Sequence, residues 1–513
     1  MTHPKSRTSG FEIDSAAGRP VVTAPRLPPF ALVIFGGAGD LTRRKIVPAL
    51  YNLTLDGALP EALGVIGVAR ARLTADAFRE SLREATELHS RRKPLEEAAW
   101  SRFAGAVDYS AGSFGDASTY DALRERLEVA DRERGTSGNR IYYLATPPGE
   151  FPVILEGLYR SGLLRRATDG DGPWSRVVIE KPFGRDLASA RALNELVARY
   201  LEESQTFRID HYLGKETVQN ILVLRFANAI FEPIWNRMHI DHVQITAAET
   251  IGVEGRGRFY DKTGVVRDIV QSHLLEVLAL CAMEPPISFA ADDVRDQKVH
   301  VLRALRPSWG SSALREVVHG QYRGYETEPG VASGSRTPTF VALKVMVDNG
   351  RWQGVPFYLR TGKRLASRRT EVAVHFRPIP LCLFPYAQEC GIEPNVLVLA
   401  IQPDEGVSLR FVCKVPGEHV AAANVLMHMS YAETFGTPLG DAYERLLVDC
   451  ARGDATLFAR RDGVEAAWSF VTPLLDAWEA SPQEVALYDA GSQGPIEASR
   501  LLERDGRGWR SLG

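Results

Sequence analysis

The chain contains 513 residues, about 3.4 times a typical domain length of roughly 150 residues, which predicts two or three packed domains. Hydrophobic residues make up 45% and charged residues 24% of the sequence, a composition that supports sizeable cores and excludes wholesale disorder. The 61 lysines and arginines nearly balance the 64 aspartates and glutamates, giving a net charge of −3. Such a balance excludes an overall positive field for nucleic acid, so we expect small anionic ligands held by local clusters.

Cysteine usage and hydropathy favour a reducing compartment. The cysteines form no Cys-x-x-Cys pair and no histidine cluster accompanies them, which argues against a zinc site or a disulfide framework; they are Cys281, Cys382, Cys390, Cys413 and Cys450. No apolar run approaches the roughly 18 residues of a membrane span, and the N-terminus lacks the apolar core of a signal peptide. We therefore expect a soluble, cytoplasmic protein that binds neither membranes nor nucleic acid.

The first half of the chain alternates apolar runs with helical patterns. Residues 1–29 are rich in Pro, Ser, Gly and Thr without any period, which predicts a flexible tail. The apolar run Ala31–Phe35 ends at Gly36-Gly37 and leads into a helical pattern. Further apolar runs separated by helical stretches cover residues 63–68, 140–145 and 177–179. This alternation predicts parallel pairing, so residues 30–209 are predicted to form a Rossmann-type, doubly wound α/β domain.

The pattern changes near residue 209, where we place a domain boundary. A helical region from about 211 to 305 precedes strand-like segments at Phe340–Val347, Val355–Leu359, Val372–Phe376, Val396–Ile401 and Val407–Val412. Successive strands with short turns predict a mainly antiparallel sheet, so residues 210–513 are predicted to form a larger β+α domain. The Gly-, Ser-, Thr- and Pro-rich stretch from Pro307 to Pro338 predicts a long excursion over the surface.

The turn after the first predicted strand is suited to a dinucleotide pyrophosphate. Glycines in Gly36–Gly39 let a phosphate approach the backbone, and the next helix offers free N–H groups. The spacing is not the standard G-x-G-x-x-G, and strand-to-helix turns also use glycine without a ligand. Arg43, Arg44 and Lys45 occupy the first helical turn, where the helix dipole disfavours cations unless an anion binds. The alternative interpretation is a solvated basic face.

The end of the second predicted strand indicates which coenzyme binds. NAD-specific folds usually place an acidic residue here to hold the ribose hydroxyls, whereas this strand ends in Val68-Ala69-Arg70-Ala71-Arg72. An arginine suits the 2′-phosphate of NADP. The pattern therefore favours NADP over NAD, with an ordinary surface arginine as the alternative.

Two further motifs place cations beside predicted sheet edges. Lys181, in Glu180-Lys181-Pro182, follows a predicted parallel strand at the end where open α/β sheets bind ligands; a lysine that merely ends a strand is the alternative. Arg360-Thr361-Gly362-Lys363 follows a strand of the second half, with Arg368 soon after. This segment is either an anion-binding turn or a basic hairpin.

The segment Arg208–Glu216 is the densest polar cluster in the sequence. If it is helical from Asp210, His211 and Lys215 lie four residues apart and share a face. Two cations aimed together can hold a phosphate monoester, and Asp210 can orient a histidine from elsewhere. The alternative is an exposed helix start with a capping aspartate.

His273 lies within a strongly apolar helical pattern that runs on through Leu280. A histidine in such a position is usually a core residue with satisfied hydrogen bonds. It becomes a good general base when a carboxylate holds one ring nitrogen and the other faces a substrate.

Taken in order, these segments resemble the glucose-6-phosphate dehydrogenase family, most specifically at Arg208–Glu216 and Glu180–Gly184. The resemblance implies a coenzyme domain before a larger β+α domain whose antiparallel sheet commonly forms a dimer interface, hence a homodimer or homotetramer. It implies oxidation of glucose 6-phosphate to the 1,5-lactone with hydride transfer to NADP. The coenzyme-binding residues that it implies are Gly36, Gly37, Ala38, Gly39, Asp40, Leu41, Thr42, Arg43, Lys45, Arg70 and Lys181.

The same resemblance assigns the sugar site. His273 matches the family's base and Asp210 its paired carboxylate, and no metal is needed because the coenzyme accepts the electrons. The implied substrate-binding residues are Lys181, His211, Tyr212, Lys215, Glu249, Asp268, Lys363 and Arg368, with Gln402 as a weaker candidate. Two alternatives stay open: a dehydrogenase of an unphosphorylated sugar, which would not need His211 and Lys215, and a catalytically silent NADP-sensing module.

Overall fold

The computed structural model describes residues 26–167, 172–306, 315–381, 393–418, 421–436, 440–481 and 483–513. The predicted tail lies outside these ranges as far as residue 25, as do Cys382 and Cys390. The other three cysteines are free thiols. Within the described ranges, no helix is both long enough and apolar enough to cross a lipid bilayer.

The first sheet is entirely parallel. Its six strands are β1 (Phe30–Phe35), β2 (Leu63–Ala69), β3 (Val107–Ala111), β4 (Arg140–Leu144), β5 (Ser175–Glu180) and β6 (Thr206–Ile209). Their spatial order is β3-β2-β1-β4-β5-β6, which confirms the predicted Rossmann-type fold. Strands β1, β2 and β4 are buried along their whole length, as expected for a parallel sheet with both faces covered. The strand order reverses between β1 and β4, the point at which such sheets bind ligands.

Helices connect these strands and are capped by their own sequence. Thr74 accepts a hydrogen bond from the Ala77 N–H, and Asp186 accepts one from the Ser189 N–H, so both satisfy free donors at a helix start. The helical segments are Thr42–Ile46 (π-helical), Val47–Leu55, Ala75–His89, Glu97–Gly105, Ala117–Arg134, Phe151–Arg160 and Leu187–Tyr200, with short 3₁₀ turns at Pro148–Glu150 and Glu203–Gln205.

The second sheet is larger and mainly antiparallel, as predicted. Its strands are β7 (Ile240–Ala248), β8 (Leu305–Arg306), β9 (Val317–Tyr322), β10 (Phe340–Val347), β11 (Pro356–Gly362), β12 (Arg369–Phe376), β13 (Val396–Gln402), β14 (Gly406–Lys414), β15 (Ala422–Ser430) and β16 (Ala486–Tyr488). They lie in the order β15-β14-β13-β12-β7-β11-β10-β9-β16, with β8 also paired to β10. Only two of the described pairs, β7 with β11 and β9 with β16, are parallel.

Two of these strands correct the sequence predictions. Strand β7 interrupts the region from 211 to 305 that was predicted to be helical; its polar residue Gln244 is buried because it hydrogen-bonds the backbone of Gly508 and Arg510 near the C-terminus. Strand β9 lies inside the predicted surface excursion from Pro307 to Pro338 and is buried between β10 and β16. In both segments, backbone hydrogen bonds to neighbouring strands form sheet where a helix or a surface loop was predicted.

One long helix of the second half is interrupted by a kink. It bends at Gly264, whose φ of 67° interrupts the helical backbone, and continues as a π-helical stretch, a rare geometry found frequently at functional sites. The helical segments of this half are Glu216–Phe226, Gly257–Val265, Val266–Leu274 (π-helical), Leu275–Ala282, Ala291–Ala304, Tyr431–Phe435, Ala442–Arg452, Arg461–Ala480 and Ile496–Glu503, with 3₁₀ turns at Glu232–Ile234 and Tyr325–Thr327.

Candidate active site

A buried histidine lies between a carboxylate and a lysine at the edge of the first sheet. Asp210 directly follows β6, and His273 is on the π-helical stretch. His273 Nδ1 lies 2.5 Å from Asp210 Oδ1, and the Lys181 ammonium lies 2.8 Å from His273 Nε2. Both members of the His273–Asp210 pair are 1% exposed. The three side chains thus form one hydrogen-bonded line.

The electrostatics of this line keep the imidazole neutral. Burial lowers the pKa of His273 well below its ordinary value, and the Lys181 cation lowers it further. Burial also raises the pKa of Asp210, against the opposing effects of the Tyr212 N–H hydrogen bond and of the Lys181 and Lys298 cations. Because a carboxylate can only accept, the Nδ1 atom of His273 carries the proton and Nε2 has the free lone pair. A neutral imidazole held in this tautomer is ready to accept a proton at Nε2.

Lys181 joins His273 to Asp268. It follows β5, as predicted, and its peptide bond to Pro182 is cis. Its ammonium group donates to the Asp268 carbonyl over 2.8 Å and to the Asp268 carboxylate over 3.2 Å. Burial opposes ionisation of Asp268, but Lys181 and Lys363 lower its pKa below the ordinary value. Asp268 therefore stays ionised and accepts hydrogen bonds beside His273.

The segment after Asp210 is not the predicted helix. Residues 211–215 form tight turns and the helix begins at Glu216, because hydrogen bonds from Leu213 N–H to the Asp210 carbonyl and from Lys215 N–H to the Tyr212 carbonyl close the turns. The turns nevertheless bring the predicted side chains together. The Tyr212 ring stacks on His273 at 4.2 Å between centroids, and Lys215 Nζ lies 4.3 Å from the Tyr212 ring centre.

The residues predicted to bind phosphate lie close to His273 and Tyr212. The His211 ring meets the His273 ring edge-on, with centroids 4.6 Å apart. Burial lowers the pKa of Lys215 to about 8, and the cation of Arg368 contributes to this shift. Lys215 also hydrogen-bonds the side chain of Gln402, the weaker candidate. Burial also lowers the pKa of His211 well below its ordinary value, so His211 is a neutral hydrogen-bonding group and the positive charge comes from Lys215 and Arg368, a pair suited to an anion.

A second ion pair in this region joins Lys363 to Glu249. Lys363, just after β11, is 4% exposed and its ammonium lies 2.6 Å from Glu249 Oε2. The backbone carbonyl of Lys363 accepts a hydrogen bond from the Tyr488 hydroxyl over 2.7 Å. Arg360 differs from Lys363: it is buried within β11 and donates to the Arg510 carbonyl. The four-residue basic segment is therefore not one anion-binding turn, since only its last residue reaches the site.

The glycine turn at the start of the first half is closely packed. Gly36 has φ 87°, and a Cβ atom there would lie 2.3 Å from the Ala145 carbonyl oxygen. A Cβ atom on Gly37 would lie 2.7 Å from Gly67 Cα. Thr42 fixes the turn by donating to the Gly36 carbonyl over 3.0 Å. Only glycine fits at these two positions, because neighbouring backbone occupies the space that a Cβ atom would need.

The predicted coenzyme cations are of two kinds. Arg43 and Arg70 are exposed, and no ion pair joins either of them to a residue in the described ranges. Lys45 instead pairs with Asp441 over 2.9 Å. The exposed arginines follow the turn and the end of β2, which places both at the carboxyl edge of the sheet.

Sequence reasoning assigned no role to three buried groups beside this site. The Tyr143 hydroxyl donates to Glu180 over 2.5 Å, and burial raises the pKa of Glu180 to about 7. The Tyr443 ring lies parallel to that of His211, with centroids 6.4 Å apart. Glu180 adjoins the Lys181 motif and was within reach of sequence reasoning. Tyr443 lies far along the chain, and no local pattern marks it.

One donor atom from each of Asp210, His211 and His273 lies within 4.8 Å of the others, a spacing that a metal ion could also use. Two of these donors are already joined by the Asp210–His273 hydrogen bond. The absence of a metal requirement stays a prediction.

A Rossmann-type sheet with a glycine turn, next to a buried histidine–carboxylate pair, defines a nicotinamide-dependent dehydrogenase. Two sequence models agree: the NAD binding domain of glucose-6-phosphate dehydrogenase matches residues 33–220, and the C-terminal domain of the same family matches residues 222–510. The chain therefore belongs to the glucose-6-phosphate dehydrogenase family.

Relatives and solved structures match along nearly the whole chain. Glucose-6-phosphate 1-dehydrogenase of Chlamydia pneumoniae is 46% identical over 507 residues, 96% of this chain and 98% of the relative. The same enzyme of Rhizobium meliloti is 45% identical over 94% of this chain and 97% of its own. The crystal structure of the Mycobacterium avium enzyme has a TM-score of 0.80 at 40% identity, covering 94% of this chain and 99% of that one. A glucose-6-phosphate dehydrogenase in complex with glucose 6-phosphate has a TM-score of 0.86 at 33% identity, covering 95% and 100%.

Proposed function

We propose that this chain oxidises glucose 6-phosphate at C1 to 6-phosphoglucono-1,5-lactone, with NADP as the hydride acceptor and His273 as the general base. The observation that carries the proposal is the line Asp210–His273–Lys181, with bonds of 2.5 Å and 2.8 Å, at the carboxyl edge of the first sheet. Family membership and a solved relative in complex with glucose 6-phosphate support the substrate.

The proton step follows from the tautomer of His273. Its Nε2 lone pair accepts the proton of the C1 hydroxyl as hydride leaves the same carbon. Asp210 holds the ring through Nδ1 and stabilises the imidazolium that forms. Lys181 donates to Nε2 over 2.8 Å, so the substrate hydroxyl must displace or share that contact. The same ammonium keeps the base neutral between turnovers.

Substrate phosphate is assigned to the turn after β6. The His211 ring lies 4.6 Å from that of His273, and Lys215 lies over the ring of Tyr212, close to the cation of Arg368. Lys215 and Arg368 supply the positive charge that a phosphate group needs. A dehydrogenase of an unphosphorylated sugar has no need for these two cations.

The coenzyme site fits a 2′-phosphorylated dinucleotide. The glycine turn tolerates no side chain at Gly36 or Gly37, and the following helix start offers N–H donors. Arg43 and Arg70 are exposed and have no ion-pair partner within the described ranges. Bound NADP supplies the electrophilic ring that takes up the hydride. Arg70 is proposed to bind the 2′-phosphate and Arg43 the pyrophosphate. Lys45 joins them only if its ion pair with Asp441 opens.

We also propose a cytoplasmic homodimer or homotetramer that binds neither nucleic acid nor membranes. Strand β15 is the last strand of the second sheet and exposes Val425, Leu426 and Met427, the middle one by 55%. Contiguous exposed apolar side chains on an edge strand favour burial against another subunit. Light scattering after gel filtration measures the assembly, and a monomer would contradict this part of the proposal.

One assay tests the activity. Purified protein is mixed with glucose 6-phosphate and NADP, and reduced nicotinamide is followed by absorbance, with NAD and with plain glucose as the two comparisons. We expect fast reduction of NADP that depends on the sugar phosphate and is unchanged by a metal chelator. Equal catalytic efficiency with glucose and glucose 6-phosphate would favour the unphosphorylated-sugar enzyme, and no reduction at all would favour the silent coenzyme-binding module.

A further inference from the structure

Four tyrosines, Tyr260, Tyr322, Tyr325 and Tyr488, form a connected group of rings next to Lys363, and one differs from the rest. The hydroxyl of Tyr322 donates to Glu328 over 3.0 Å, that of Tyr325 to Asp261 over 3.1 Å, and that of Tyr488 to the Lys363 carbonyl over 2.7 Å. The hydroxyl of Tyr260 is buried and has no hydrogen-bond partner among the described residues. Buried hydroxyl groups are nearly always paired, so this one requires an explanation.

The position of Tyr260 explains why its hydroxyl has no partner. The residue is 4% exposed and lies on the helix Gly257–Val265, one turn before the kink that leads to the base. Lys363 Nζ lies 5.1 Å from its ring centre. Burial raises the pKa of Tyr260 well above its ordinary value, and the charges of Asp268 and Glu249 contribute. The phenol therefore stays protonated and is a hydrogen-bond donor among the residues assigned to the sugar hydroxyls.

We propose that Tyr260 is a further substrate-positioning residue, whose hydroxyl donates a hydrogen bond to one ring hydroxyl of the hexose 6-phosphate. This inference rests on the proposed function. A neutral donor complements the acceptors Glu249 and Asp268, because each sugar hydroxyl both donates and accepts. It would thereby add selectivity for the stereochemistry of the ring, since a sugar without the matching hydroxyl leaves the phenol unpaired.

The test is Tyr260→Phe, which removes only the oxygen atom. Catalytic efficiency is measured with glucose 6-phosphate and with its 2-, 3- and 4-deoxy analogues. We expect a loss of about 3- to 10-fold with glucose 6-phosphate, the size of one neutral hydrogen bond. With one of the deoxy analogues the loss should vanish, because that analogue lacks the hydroxyl that Tyr260 contacts.

Tyr325→Phe is the matched control, since it removes a hydroxyl whose partner Asp261 lies outside the sugar site. It should lower the thermal unfolding temperature while leaving discrimination among the four sugars unchanged. Tyr260→Phe should keep the wild-type unfolding temperature, because its hydroxyl has no protein partner to lose.

Three results would overturn the inference: wild-type efficiency in Tyr260→Phe, an equal loss with all four sugars, or a lowered unfolding temperature, which would reveal a protein partner for the hydroxyl. Each differs from failure of the proposed function, in which the wild-type protein itself does not oxidise glucose 6-phosphate.

Discussion

The coenzyme region and the sugar region proposed for this chain are constructed differently. At the glycine turn, Arg43 and Arg70 are exposed, so they attract an anion through solvent and are screened by salt. Around His273, the ammonium groups of Lys181 and Lys363 are already paired with carboxylates at 3.2 Å and 2.6 Å. The coenzyme region is thus a solvent-exposed basic surface, whereas the sugar region is a preorganised network of hydrogen bonds and ion pairs in a low-dielectric interior. Substitutions in the sugar region should therefore lower activity more than substitutions in the coenzyme region.

The largest expected effect is at the base. His273→Asn should lower kcat by about 10²- to 10⁴-fold, because asparagine cannot accept the C1 proton as the imidazole Nε2 does. Its KM for glucose 6-phosphate should change little, since the phosphate is bound elsewhere. Steady-state kinetics measures both, and binding of the sugar phosphate by calorimetry is the control. Near-normal turnover would remove His273 from its proposed role.

A smaller loss is expected at the phosphate end of the same region. Lys215→Met should raise the KM for glucose 6-phosphate by roughly 10- to 150-fold, the value of one hydrogen bond to a charged group. Activity with plain glucose should stay at the wild-type level, because that sugar has no phosphate to lose. If both substrates suffered equally, Lys215 would have a structural role instead.

In the exposed region, Arg70→Gln should lower the preference for NADP over NAD by about 10-fold, equivalent to about 1.4 kcal/mol. Arg72→Gln is the matched control, with the same charge change two residues along the same exposed loop. The preference should also fall with added salt in the wild-type protein, and less so in Arg70→Gln. An identical effect of both substitutions would indicate a general field rather than a specific contact.

The smallest effect concerns pH. Burial lowers the pKa of Lys215 to about 8, so its charge is present below that pH and is lost as the pH rises through it. Catalytic efficiency with glucose 6-phosphate should therefore fall several-fold between about pH 7 and pH 9, while the KM for NADP stays level. Lys215→Arg should flatten this alkaline limb, because arginine keeps its charge. An unchanged limb in that variant would assign the titration to another group.

The sequence predicted the first half of the fold better than the second for physical reasons. The buried parallel strands β1, β2, β4 and β5 are short apolar runs bounded by turns, which are visible locally. Strand β7 was missed because its polar residues are buried by the distant C-terminal segment, and β9 because turn-forming residues surround it. Tertiary contacts decide both cases, and no local pattern contains them.

In the candidate site too, local sequence predicted some features, and others depend on tertiary contacts. The structure brings together the predicted residues Lys181, Asp210, His211 and His273, although the spacing argument for His211 and Lys215 assumed a helix where the chain forms turns. The ion pair between Lys45 and Asp441 was not predictable, since its members are 396 residues apart. Motifs thus located the chemical groups, whereas their pairing depends on the fold.

The hydrogen bond between His273 and Asp210 joins the region of the parallel sheet to the region of the antiparallel sheet. Asp210 follows the last strand of the parallel sheet, and His273 belongs to the helix beneath the antiparallel one. The length of this bond therefore depends on the relative position of the two sheets. If one sheet moved by a few tenths of an ångström relative to the other, the bond would weaken before the packing of either core changed. Upon gentle heating, turnover should consequently decline before the bulk of the secondary structure is lost.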